Sequence, residues 1–470
     1  MYSSIKLLHF VGIGGIGMSG IAEILVNLGY TVSGSDLSEN ANVQRLRSQG
    51  VVVHKGHKAE HVNGADAVVC SSAIKRDNPE VEMARRLRIP VVPRAEMLAE
   101  LMRLKYGIAI AGTHGKTTTT SLTATILGDA GLDPTVINGG IVNAFASNAR
   151  IGEGEFMVTE ADESDGSFLK LPATIGVVTN MDPEHMDHYG DFDAVRAAFK
   201  TFVGRLPFYG LAVLFQDHPE VAALVPDLED KRVVLYGFGQ DVDYQALDIR
   251  QEGPLTHFTL RYRNRYRGTV DHEMALSLSL PGKHNVANAL AAIAVARELG
   301  ISWEVIGTAL QGFTGVQRRF TLMTDSPKRT LIDDYAHHPE EIRATLEAAR
   351  AAYQGRRIVA IFQPHRFSRV RNSLDAFLRC FSSSDRVFVD AIYPAGETPP
   401  PGPLDQGGQA FLTEGVARES GIPAFPLPRS DDWMEQLNDQ LEPGDVALFL
   451  GAGDISAKGH AFAKKYGHAD

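Results

Sequence analysis

The segment from Tyr106 to Thr120, which reads YGIAIAGTHGKTTTT, constrains the fold of this chain more than any other stretch. A short apolar run predicts a buried strand, and a glycine turn and a helix-compatible segment follow it. This order places backbone N–H groups and a helix N-terminus around an anion, with Lys116 reaching terminal phosphates and the Thr117 hydroxyl ligating Mg²⁺. The loop is shorter than the general phosphate-loop pattern, because Ile110 stands where that pattern has glycine. The alternative is a glycine turn with a surface lysine; we expect the loop to bind ATP.

Length and composition indicate a soluble globular protein of several domains. At about 150 residues per domain, the 470 residues predict about three, and 44% hydrophobic with 22% charged residues is an ordinary composition. The net charge of −11 argues against a nucleic acid held by a broad basic face. The cysteines, Cys70 and Cys380, indicate neither a disulfide framework nor a zinc site. The N-terminus is a poor signal peptide and no long apolar run occurs, so we expect a cytoplasmic protein without a membrane partner.

Residues 5–104 alternate short apolar runs with helical stretches, which predicts a parallel sheet covered by helices. The first loop fits G-x-G-x-x-G, and Asp36 closes the next strand about twenty residues later. Such a loop lets a pyrophosphate approach a helix N-terminus, but NAD, FAD and UDP all carry a pyrophosphate. The pattern alone leaves NAD, another nucleotide and a structural turn open. The glycines of the loop are Gly12, Gly14, Gly15 and Gly17.

The rest of the chain predicts two further α/β units. The second unit holds the phosphate loop, apolar strands at Glu155–Thr159 and Thr174–Asn180, and an alternating stretch over 230–280 that indicates an antiparallel insertion. Strand–helix alternation then restarts and predicts the third unit. The predicted domains are 1–105, 106–322 and 323–470.

A dense run of carboxylates, EADESD, begins at Glu160 directly after the strand Glu155–Thr159. A solvated acidic turn is one explanation. An ATP site, however, needs Mg²⁺ against the phosphate oxygens, and acids at the carboxyl end of a strand lie where α/β sheets bind ligands. Glu160 comes directly off the strand and is therefore the candidate metal ligand.

His185 lies just beyond the next predicted strand, with Asp182 and His188 close by in the sequence. A packed or surface histidine is the ordinary explanation, and a ligand for a second metal ion is the other. Two metal ions would require His185, Glu160 and Thr117 to converge.

Three later motifs place arginine or histidine at predicted hinges and strand ends. GFTGVQRRF contains Arg319, which is a candidate contact for a γ-phosphate or, alternatively, a partner in an interdomain salt bridge. DDYAHHP, with Asp333 and His337, suggests nucleotide-sugar recognition. QPHRFSR, with Arg366 and Arg369, suggests carboxylate recognition. Neither of the last two motifs is specific by its spacing.

Two nucleotide-type loops in separate domains, together with the carboxylates and the histidine at one predicted sheet edge, indicate one particular type of reaction. One domain would anchor a pyrophosphate-bearing substrate, a second would present ATP and a third would complete the cleft. A hydride-transfer enzyme would leave the phosphate loop unexplained. A switch GTPase would leave the N-terminal unit and the arginine loops unexplained.

The motifs, taken in order, resemble the Mur ligases over essentially the whole chain. They are GIGGIGMSG, GTHGKTTTT, EADESDGSF, TNMDPEHMDHY, LPGKHNVANALAA, GVQRRF, DDYAHHP and FQPHRFSR. The ordered set is far more specific than any single motif. EADESD and the N-terminal glycine loop resemble the members that add L-alanine, with the ligase that recycles a tripeptide onto the same sugar nucleotide as the alternative.

The resemblance implies three α/β domains: an N-terminal Rossmann-like UDP-binding domain, a central P-loop ATPase-type domain with an antiparallel insertion, and a C-terminal Rossmann-like domain that binds the amino acid. It implies ATP and Mg²⁺ as cofactors, and UDP-N-acetylmuramate and L-alanine as substrates joined through an acyl phosphate. We expect no nucleic-acid partner, a monomer or homodimer, and closure at hinges near residues 105 and 322 that excludes water.

The resemblance also assigns site residues. The catalytic residues are Lys116, Glu160, His185 and Arg319. The ATP contacts are Gly112, Thr113, His114, Gly115, Lys116, Thr117, Thr118, His284, Asn285, Asn288, Arg319, Asp333 and His337. The substrate contacts are Gly12, Gly14, Gly15, Gly17, Asp36, Ser71, Ser72, Asn138, Gly139, Tyr335, His365, Arg366 and Arg369.

Within that assignment, Thr117 and Glu160 would hold one Mg²⁺, and Glu160 with His185 the second. Several relatives carry a carbamylated lysine, and Lys200 lies at a comparable distance after His185; its state is left undecided. The loop with Arg366 would bind the amino-acid carboxylate. The candidate acceptors for the proton of the amine are His185, His337 and His338.

Overall fold

The computed structural model describes residues 5–71, 73–145, 147–264, 269–404 and 407–467, and its α/β architecture confirms the predicted fold class. Within these ranges no helix has the length and apolar content that a membrane crossing requires.

The N-terminal sheet consists of parallel strands with helices between them. Its strands are β1 (Leu7–Val11), β2 (Thr31–Asp36), β3 (Val52–Lys55), β4 (Ala67–Cys70) and β5 (Val91–Pro93), and its helices are α1 (Ile16–Asn27), α2 (Ala41–Ser48), α3 (Pro79–Arg86) and α4 (Arg94–Met102). The strand order is β3-β2-β1-β4-β5. The order reverses between β1 and β4, and doubly wound sheets bind ligands at such a switch point. The glycine loop after β1 lies there.

The central sheet has ten strands in the order β15-β14-β13-β12-β11-β10-β6-β9-β7-β8 among the described residues. The strands are β6 (Tyr106–Ala111), β7 (Thr135–Val142), β8 (Ser147–Arg150), β9 (Phe156–Glu160), β10 (Ala173–Val178), β11 (Leu211–Phe215), β12 (Val233–Gly237), β13 (Tyr244–Glu252), β14 (Leu255–Asn264) and β15 (Thr269–Leu278). The helices are α5 (Lys116–Asp129), α6 (Met186–Tyr189), α7 (Phe192–Gly204), α8 (Pro219–Ala222), α9 (Lys283–Glu298) and α10 (Trp303–Gln311). The strands β6, β9, β10, β11 and β12 are parallel. Only two residues join β13 to β14, which requires a hairpin.

The C-terminal sheet has the order β16-β17-β21-β18-β19-β20, with only β16 antiparallel. The strands are β16 (Thr321–Asp325), β17 (Arg329–Asp334), β18 (Ile358–Phe362), β19 (Arg386–Val389), β20 (Ala424–Pro426) and β21 (Asp445–Leu450). The helices are α11 (Pro339–Ala352), α12 (Phe367–Asn372), α13 (Leu374–Arg379), α14 (Gln409–Ser420), α15 (Trp433–Gln440) and α16 (Ile455–Tyr466). Every residue of β18 and β21 is buried, because helices cover both faces of a parallel sheet.

The chain divides into two compact units. The first contains residues up to 247 with 259–276 and 287–313, and the second contains 248–258, 277–286 and the residues from 314 onward. The N-terminal sheet and most of the central sheet thus share the first unit, while parts of β13, β14 and β15 belong to the second. Asn148 on β8 shows how the N-terminal and central sheets are joined: its Nδ2 donates to the carbonyl oxygen of Ile16 at 2.6 Å, and its Oδ1 accepts from Arg45 at 2.9 Å. The predicted boundaries at 105 and 322 stay predictions.

A buried carboxylate, Glu80, gathers donors beneath the N-terminal glycine loop. Its side chain is fully buried and accepts from Ser35 Oγ at 2.6 Å. Its oxygens lie 2.7 Å from His61 Nδ1 and 3.0 Å from His57 Nδ1. Burial opposes ionisation, but the contacts with His9, Ser35 and His61 outweigh it and lower the pKa of Glu80 to about 2. The carboxylate is therefore ionised in the folded protein.

Ser35 connects this cluster to the glycine loop. Its carbonyl oxygen accepts from the backbone N–H of Gly12 at 2.9 Å and of Ile13 at 3.0 Å. The hydroxyl that bonds Glu80 thus belongs to the residue that holds the start of the loop. A change in the hydrogen bonds around Glu80 would therefore affect the glycine loop through Ser35.

We expect Glu80→Gln to destabilise the protein in a pH-dependent way. The folded pKa, about 2, lies below the ordinary value of 4.5, so the ionised carboxylate stabilises the fold above pH 4.5 and this contribution disappears as the pH falls to 2. The variant should lose about 3 kcal/mol of unfolding free energy at pH 7. Urea unfolding followed by circular dichroism at pH 7 and pH 3 measures the difference.

The matched control is Glu82→Gln, which removes a carboxylate from an exposed position on the same helix. It should change stability little at either pH. Equal losses for the two variants at pH 7 would contradict a stabilising role of the Glu80 cluster.

Candidate active site

The phosphate loop contains two glycines at positions where a side chain would be strained and crowded. Gly112 has φ +135° and Gly115 has φ +84°, both outside the range that L side chains favour. A Cβ at Gly112 would lie 2.0 Å from Thr179 Oγ1, and one at Gly115 would lie 2.5 Å from Asn288 Oδ1. Because Gly115 caps α5, this close packing fixes the helix N-terminus from which the loop N–H groups project.

Residues that follow β10 hold the phosphate loop in place. Asn180 Oδ1 accepts from the backbone N–H of His114 at 2.7 Å, and Thr179 Oγ1 donates to the carbonyl oxygen of His114 at 2.6 Å. The backbone N–H of Asp182 donates to Thr113 Oγ1 at 2.9 Å. Two neighbouring strands, β6 and β10, thus define one loop conformation. Thr117 and Thr118 are buried in the first turn of α5.

Lys116 forms an ion pair with Glu163. Its ammonium lies 2.8 Å and 3.0 Å from the two carboxylate oxygens, and it also donates to the carbonyl oxygens of Gly112 and Thr113. Burial lowers the pKa of Lys116, but the charges of Glu163 and Asp162 outweigh it and the net shift is upward. Burial raises the pKa of Glu163 to about 7, although Lys116 opposes that shift. With these pKa shifts, Lys116 stays protonated and positively charged, and Glu163 takes up a proton more readily than an ordinary carboxylate.

Glu160 and His185 lie at the same sheet edge as Lys116. Glu160 ends β9 and its Oε1 accepts from the backbone N–H of Gly139 at 2.8 Å. His185 precedes α6 with φ +57°, and its Nε2 is 3.7 Å from Glu163 Oε1. Glu163 therefore contacts both Lys116 and His185. The sequence identified the acidic run, but only the structure shows that Glu163 is the member in contact with the lysine.

The donor chemistry at this edge suits Mg²⁺ in part. The Thr117 hydroxyl and the Glu160 carboxylate are the oxygen donors that Mg²⁺ prefers, with phosphate oxygens and water completing its shell. The imidazole of His185 is a weaker match, since nitrogen donors suit zinc and iron better. Among the described residues, no three His, Cys, Asp or Glu side chains are arranged to enclose a metal ion. The assignment of Thr117, Glu160 and His185 to metal ions stays a prediction.

Three further residues considered in the sequence analysis make contacts within the protein. Asn138 donates to Ser121 Oγ at 2.6 Å and is buried. Asn288, also buried, accepts from Thr119 Oγ1 at 3.2 Å. Lys200 lies on α7 in an exposed ion pair with Asp227 at 2.9 Å.

In the N-terminal sheet, the carboxylate of Asp36 bonds directly to the glycine loop. Its Oδ2 accepts from the backbone N–H of Gly14 at 2.8 Å, and a Cβ on Gly14 would lie 2.9 Å from the same oxygen. Gly15 caps α1. Just after β4, the backbone N–H of Ser71 donates to the carbonyl oxygen of Val11 at 3.2 Å. A predicted substrate contact, Ser72, lies outside the described residues.

In the second unit, Arg319 lies among Tyr335, Glu341 and His284. The guanidinium carbon is 5.3 Å from the centre of the Tyr335 ring, and Nη1 is 3.9 Å from Glu341 Oε1. Burial, with a smaller contribution from Arg319, lowers the pKa of His284 to about 4. His284 is thus a neutral imidazole at physiological pH. Asn285 donates from Nδ2 to the carbonyl oxygen of Pro281 at 2.8 Å.

Asp333 and Asp334, the adjacent acids at the end of β17, have different hydrogen-bond partners. Asp333 is buried and accepts from Ser456 Oγ at 2.6 Å, while its Oδ1 has no hydrogen-bond partner among the described residues. Asp334 accepts from the backbone N–H groups of Phe320 at 2.7 Å and Ala336 at 2.8 Å. Burial raises the pKa of Asp334 to about 6. Asp334, which the sequence showed only as part of the DDYAHHP motif, supports the segment that follows Arg319.

The arginine loop after β18 contacts a carboxylate from the segment after β19, Glu397, which the sequence did not single out. Arg366 has φ +68°, and its Nε donates to Glu397 Oε1 at 2.8 Å. The backbone N–H of Ser368 donates to Glu397 Oε2 at 3.0 Å. Arg369 Nη1 lies 3.4 Å from His365 Nδ1. Glu397 thus occupies one edge of the Arg366 guanidinium and orients it.

His337 and His365 face each other in the same unit. Their ring centres are 6.2 Å apart, and His337 Nδ1 is 3.3 Å from Glu341 Oε2. Burial, helped by His337 and the neighbouring arginines, lowers the pKa of His365 to about 4. The structure therefore brings together the DDYAHHP and QPHRFSR motifs, a proximity that the sequence did not predict.

Three successive segments of the chain, one for each sheet, match models of known protein families. Residues 7–106 match the Mur ligase family, catalytic domain; residues 110–296 match the Mur ligase middle domain; residues 318–453 match the Mur ligase, glutamate ligase domain. A UDP-N-acetylmuramate–L-alanine ligase of Magnetococcus marinus is 61% identical over 464 residues, which cover 98% of each chain. The chain belongs to the Mur ligase family.

Solved structures agree with this membership. The UDP-N-acetylmuramate–alanine ligase of Thermotoga maritima superposes with a TM-score of 0.81 at 30% identity and covers 98% of this Mur ligase and 99% of its own chain. A murein peptide ligase of Psychrobacter arcticus gives 0.71 at 25% identity and covers 99% of both chains. The expected family is confirmed, and the three-domain α/β architecture agrees with that of both neighbours.

We expect Gly115→Ala to abolish tight nucleotide binding by this Mur ligase. The substitution forces a left-handed residue, at about 1–2 kcal/mol, and drives a methyl group into Asn288. Both effects distort the N-terminus of α5. Calorimetric titration with a non-hydrolysable ATP analogue should show affinity reduced at least about tenfold.

Gly128→Ala is the matched control, because Gly128 lies in the same helix and a Cβ there would meet only Arg150 Nη1 at 3.6 Å. It should bind the analogue like the wild type. Unchanged affinity in Gly115→Ala would mean that this loop does not hold the nucleotide.

Proposed function

We propose that this Mur ligase joins the amine of L-alanine to the lactyl carboxylate of UDP-N-acetylmuramate and converts ATP to ADP and phosphate. The observation that carries the proposal is the full-length similarity, at 61% identity, to the Magnetococcus marinus UDP-N-acetylmuramate–L-alanine ligase. The phosphate loop and the buried lysine at its end support the ATP-dependent step. The chain would act in the cytoplasm, where ATP is supplied, as a monomer or homodimer.

The first step would be phosphoryl transfer. A carboxylate oxygen of the sugar attacks the γ-phosphorus in line, the bond to the β-phosphate oxygen breaks, and an acyl phosphate and ADP form. Two anions must meet, so the site needs fixed positive charge. The raised pKa of Lys116 keeps its ammonium charged, and phosphate oxygens would take the place of Glu163 beside it. Arg319 would meet the transferring group.

Thr117 and Glu160 would hold one Mg²⁺, and Glu160 with His185 a second, and the metal would supply positive charge against the phosphate oxygens. Glu163 has a pKa of about 7 even beside Lys116, which lowers it, so the carboxyl can accept a proton near neutral pH once it is displaced from the lysine. Its charge then does not oppose the incoming phosphates.

The second step would be amide formation. The alanine amine attacks the acyl phosphate, and the tetrahedral intermediate expels phosphate. Free alanine is mostly an ammonium ion at neutral pH, so a base must take its proton. His284 and His365, with pKa values of about 4, are too weak to hold that proton. The candidate bases remain His185, His337 and His338.

The amino-acid carboxylate would bind the arginine loop. Glu397 engages the Nε of Arg366, so the two terminal nitrogens are left to face a ligand. Arg369 and the neutral ring of His365 lie beside it. A small amino acid with a single carboxylate suits this arrangement, because a second carboxylate would meet Glu397.

The decisive experiment measures ADP release by the purified protein with UDP-N-acetylmuramate and a panel of amino acids. We expect turnover with L-alanine. The similarity to a murein peptide ligase raises one other function, tripeptide recycling. Turnover with L-Ala-D-Glu-diaminopimelate but not with L-alanine would transfer the assignment to that reaction.

We expect Lys116→Ala to lower the turnover number by about 100-fold or more, the usual loss when one preorganised donor is removed from a transition state. The same ADP assay measures it. Lys170→Ala removes an ammonium from the surface, where Lys170 is half exposed beside Glu96, and should leave the rate unchanged. A fully active Lys116→Ala enzyme would show that the phosphate loop has been assigned the wrong role.

We expect Arg366→Ala to raise the KM for L-alanine about 10-fold to 100-fold, the value of one or two charged hydrogen bonds. The KM values for ATP and the sugar nucleotide should stay within about twofold, a change worth less than ~0.5 kcal/mol. Arg371→Ala, at an exposed position on the same short helix, is the control. Equal effects on all three substrates would place Arg366 in the scaffold instead.

A further inference from the structure

Arg94 begins α4 at the carboxyl edge of the N-terminal sheet, directly after β5. Its side chain packs on Gly17 in the first turn of α1. A Cβ built on Gly17 would lie 2.8 Å from Arg94 Nη1 and 3.4 Å from its Cδ. The guanidinium is therefore fixed beside the helix N-terminus that a pyrophosphate would approach.

The guanidinium of Arg94 uses few of its donors inside the protein. The side chain is 21% exposed, and its one polar contact among the described residues joins Nη2 to Asp162 Oδ2 at a long 3.4 Å. An arginine presents five N–H donors in a rigid plane that matches phosphate oxygens two at a time. Most of these donors are available to an anionic ligand.

Asp162 connects Arg94 to the phosphate loop. It lies in the acidic turn after β9, next to the Glu163 that holds Lys116. Its Oδ2 lies 3.4 Å from Arg94 Nη2, so the acidic turn that holds Lys116 also contacts Arg94 of the N-terminal sheet. A substrate that spans the two glycine loops would pass over Arg94.

We propose that Arg94 binds the diphosphate of the sugar nucleotide, with its guanidinium exchanging Asp162 for a phosphate oxygen. The inference rests on the proposed function. The ligand would receive N–H groups from the start of α1 on one side and the arginine fork on the other. This contact would orient the sugar, and hence its lactyl carboxylate, toward Lys116. It also gives a physical reason for Gly17, because a larger residue would displace the guanidinium.

The test is the binding of UDP, measured by titration calorimetry, to Arg94→Ala and to Gly17→Ala. Each variant should bind UDP at least about tenfold more weakly, the value of a charge-assisted hydrogen bond. Gly17 lies within α1 without a left-handed backbone, so alanine suits the helix and acts only through its methyl group. Arg103→Ala, at the other end of α4, removes the same charge from an exposed side chain and should bind normally.

Kinetics then separate the binding role from a structural one. Both variants should raise the KM for UDP-N-acetylmuramate by the same factor as the UDP affinity and leave the KM for ATP unchanged. Normal UDP affinity in Arg94→Ala and Gly17→Ala would overturn the proposal. A defect seen with UDP-N-acetylmuramate but not with UDP would also overturn it, since the guanidinium would then serve the lactyl carboxylate.

The two proposals fail in different ways. A wild-type protein that does not bind UDP would reject the proposed function. A wild-type protein that binds UDP, with variants that bind it equally well, would reject only the role of Arg94. Melting temperatures of both variants show whether a loss of affinity comes from unfolding, and Gly17→Ala is the decisive variant if Arg94→Ala is unstable.

Discussion

The ion pair between Lys116 and Glu163 is the interaction on which the candidate site depends. Both side chains are largely buried, and a buried charge without a partner would be strongly destabilising. Three neighbouring strands, β10, β6 and β9, end around the pair and supply the loops that hold it. Gly112 and Gly115 let the loop approach its neighbours closely. In this structure the carboxylate of Glu163 is the anion beside the lysine.

The same geometric rule places the functional motifs in all three sheets. In doubly wound sheets the loops at the carboxyl ends of the strands carry the ligand contacts. The glycine loop follows β1, the phosphate loop follows β6 and the arginine loop follows β18. In each, polar groups from a second loop lock the first: Asp36, Asn180 and Glu397 accept the backbone or guanidinium hydrogen bonds.

Local patterns identified most of these loops, because strand, glycine turn and helix are encoded within about fifteen residues. The partners of the loops were harder to find. Glu163 was visible only as one acid in a run and Asp334 only as part of the DDYAHHP motif, while Glu397 carried no signal at all. Arg94 also lacked a sequence signal, because nothing near it in the sequence indicates that it packs on Gly17. These contacts join residues that are distant in sequence, and pattern reasoning has no access to such pairs.

The sequence by itself determined the family, the three-sheet α/β architecture and the two phosphate-type loops, since glycine positions and apolar periodicity follow directly from backbone geometry. Only the tertiary structure decided which carboxylate pairs with Lys116, that His284 and His365 stay neutral, and that the N-terminal sheet shares a unit with most of the central sheet. The physical reason is that charge states depend on burial and on neighbours supplied by other strands, and these exist only after the chain has folded.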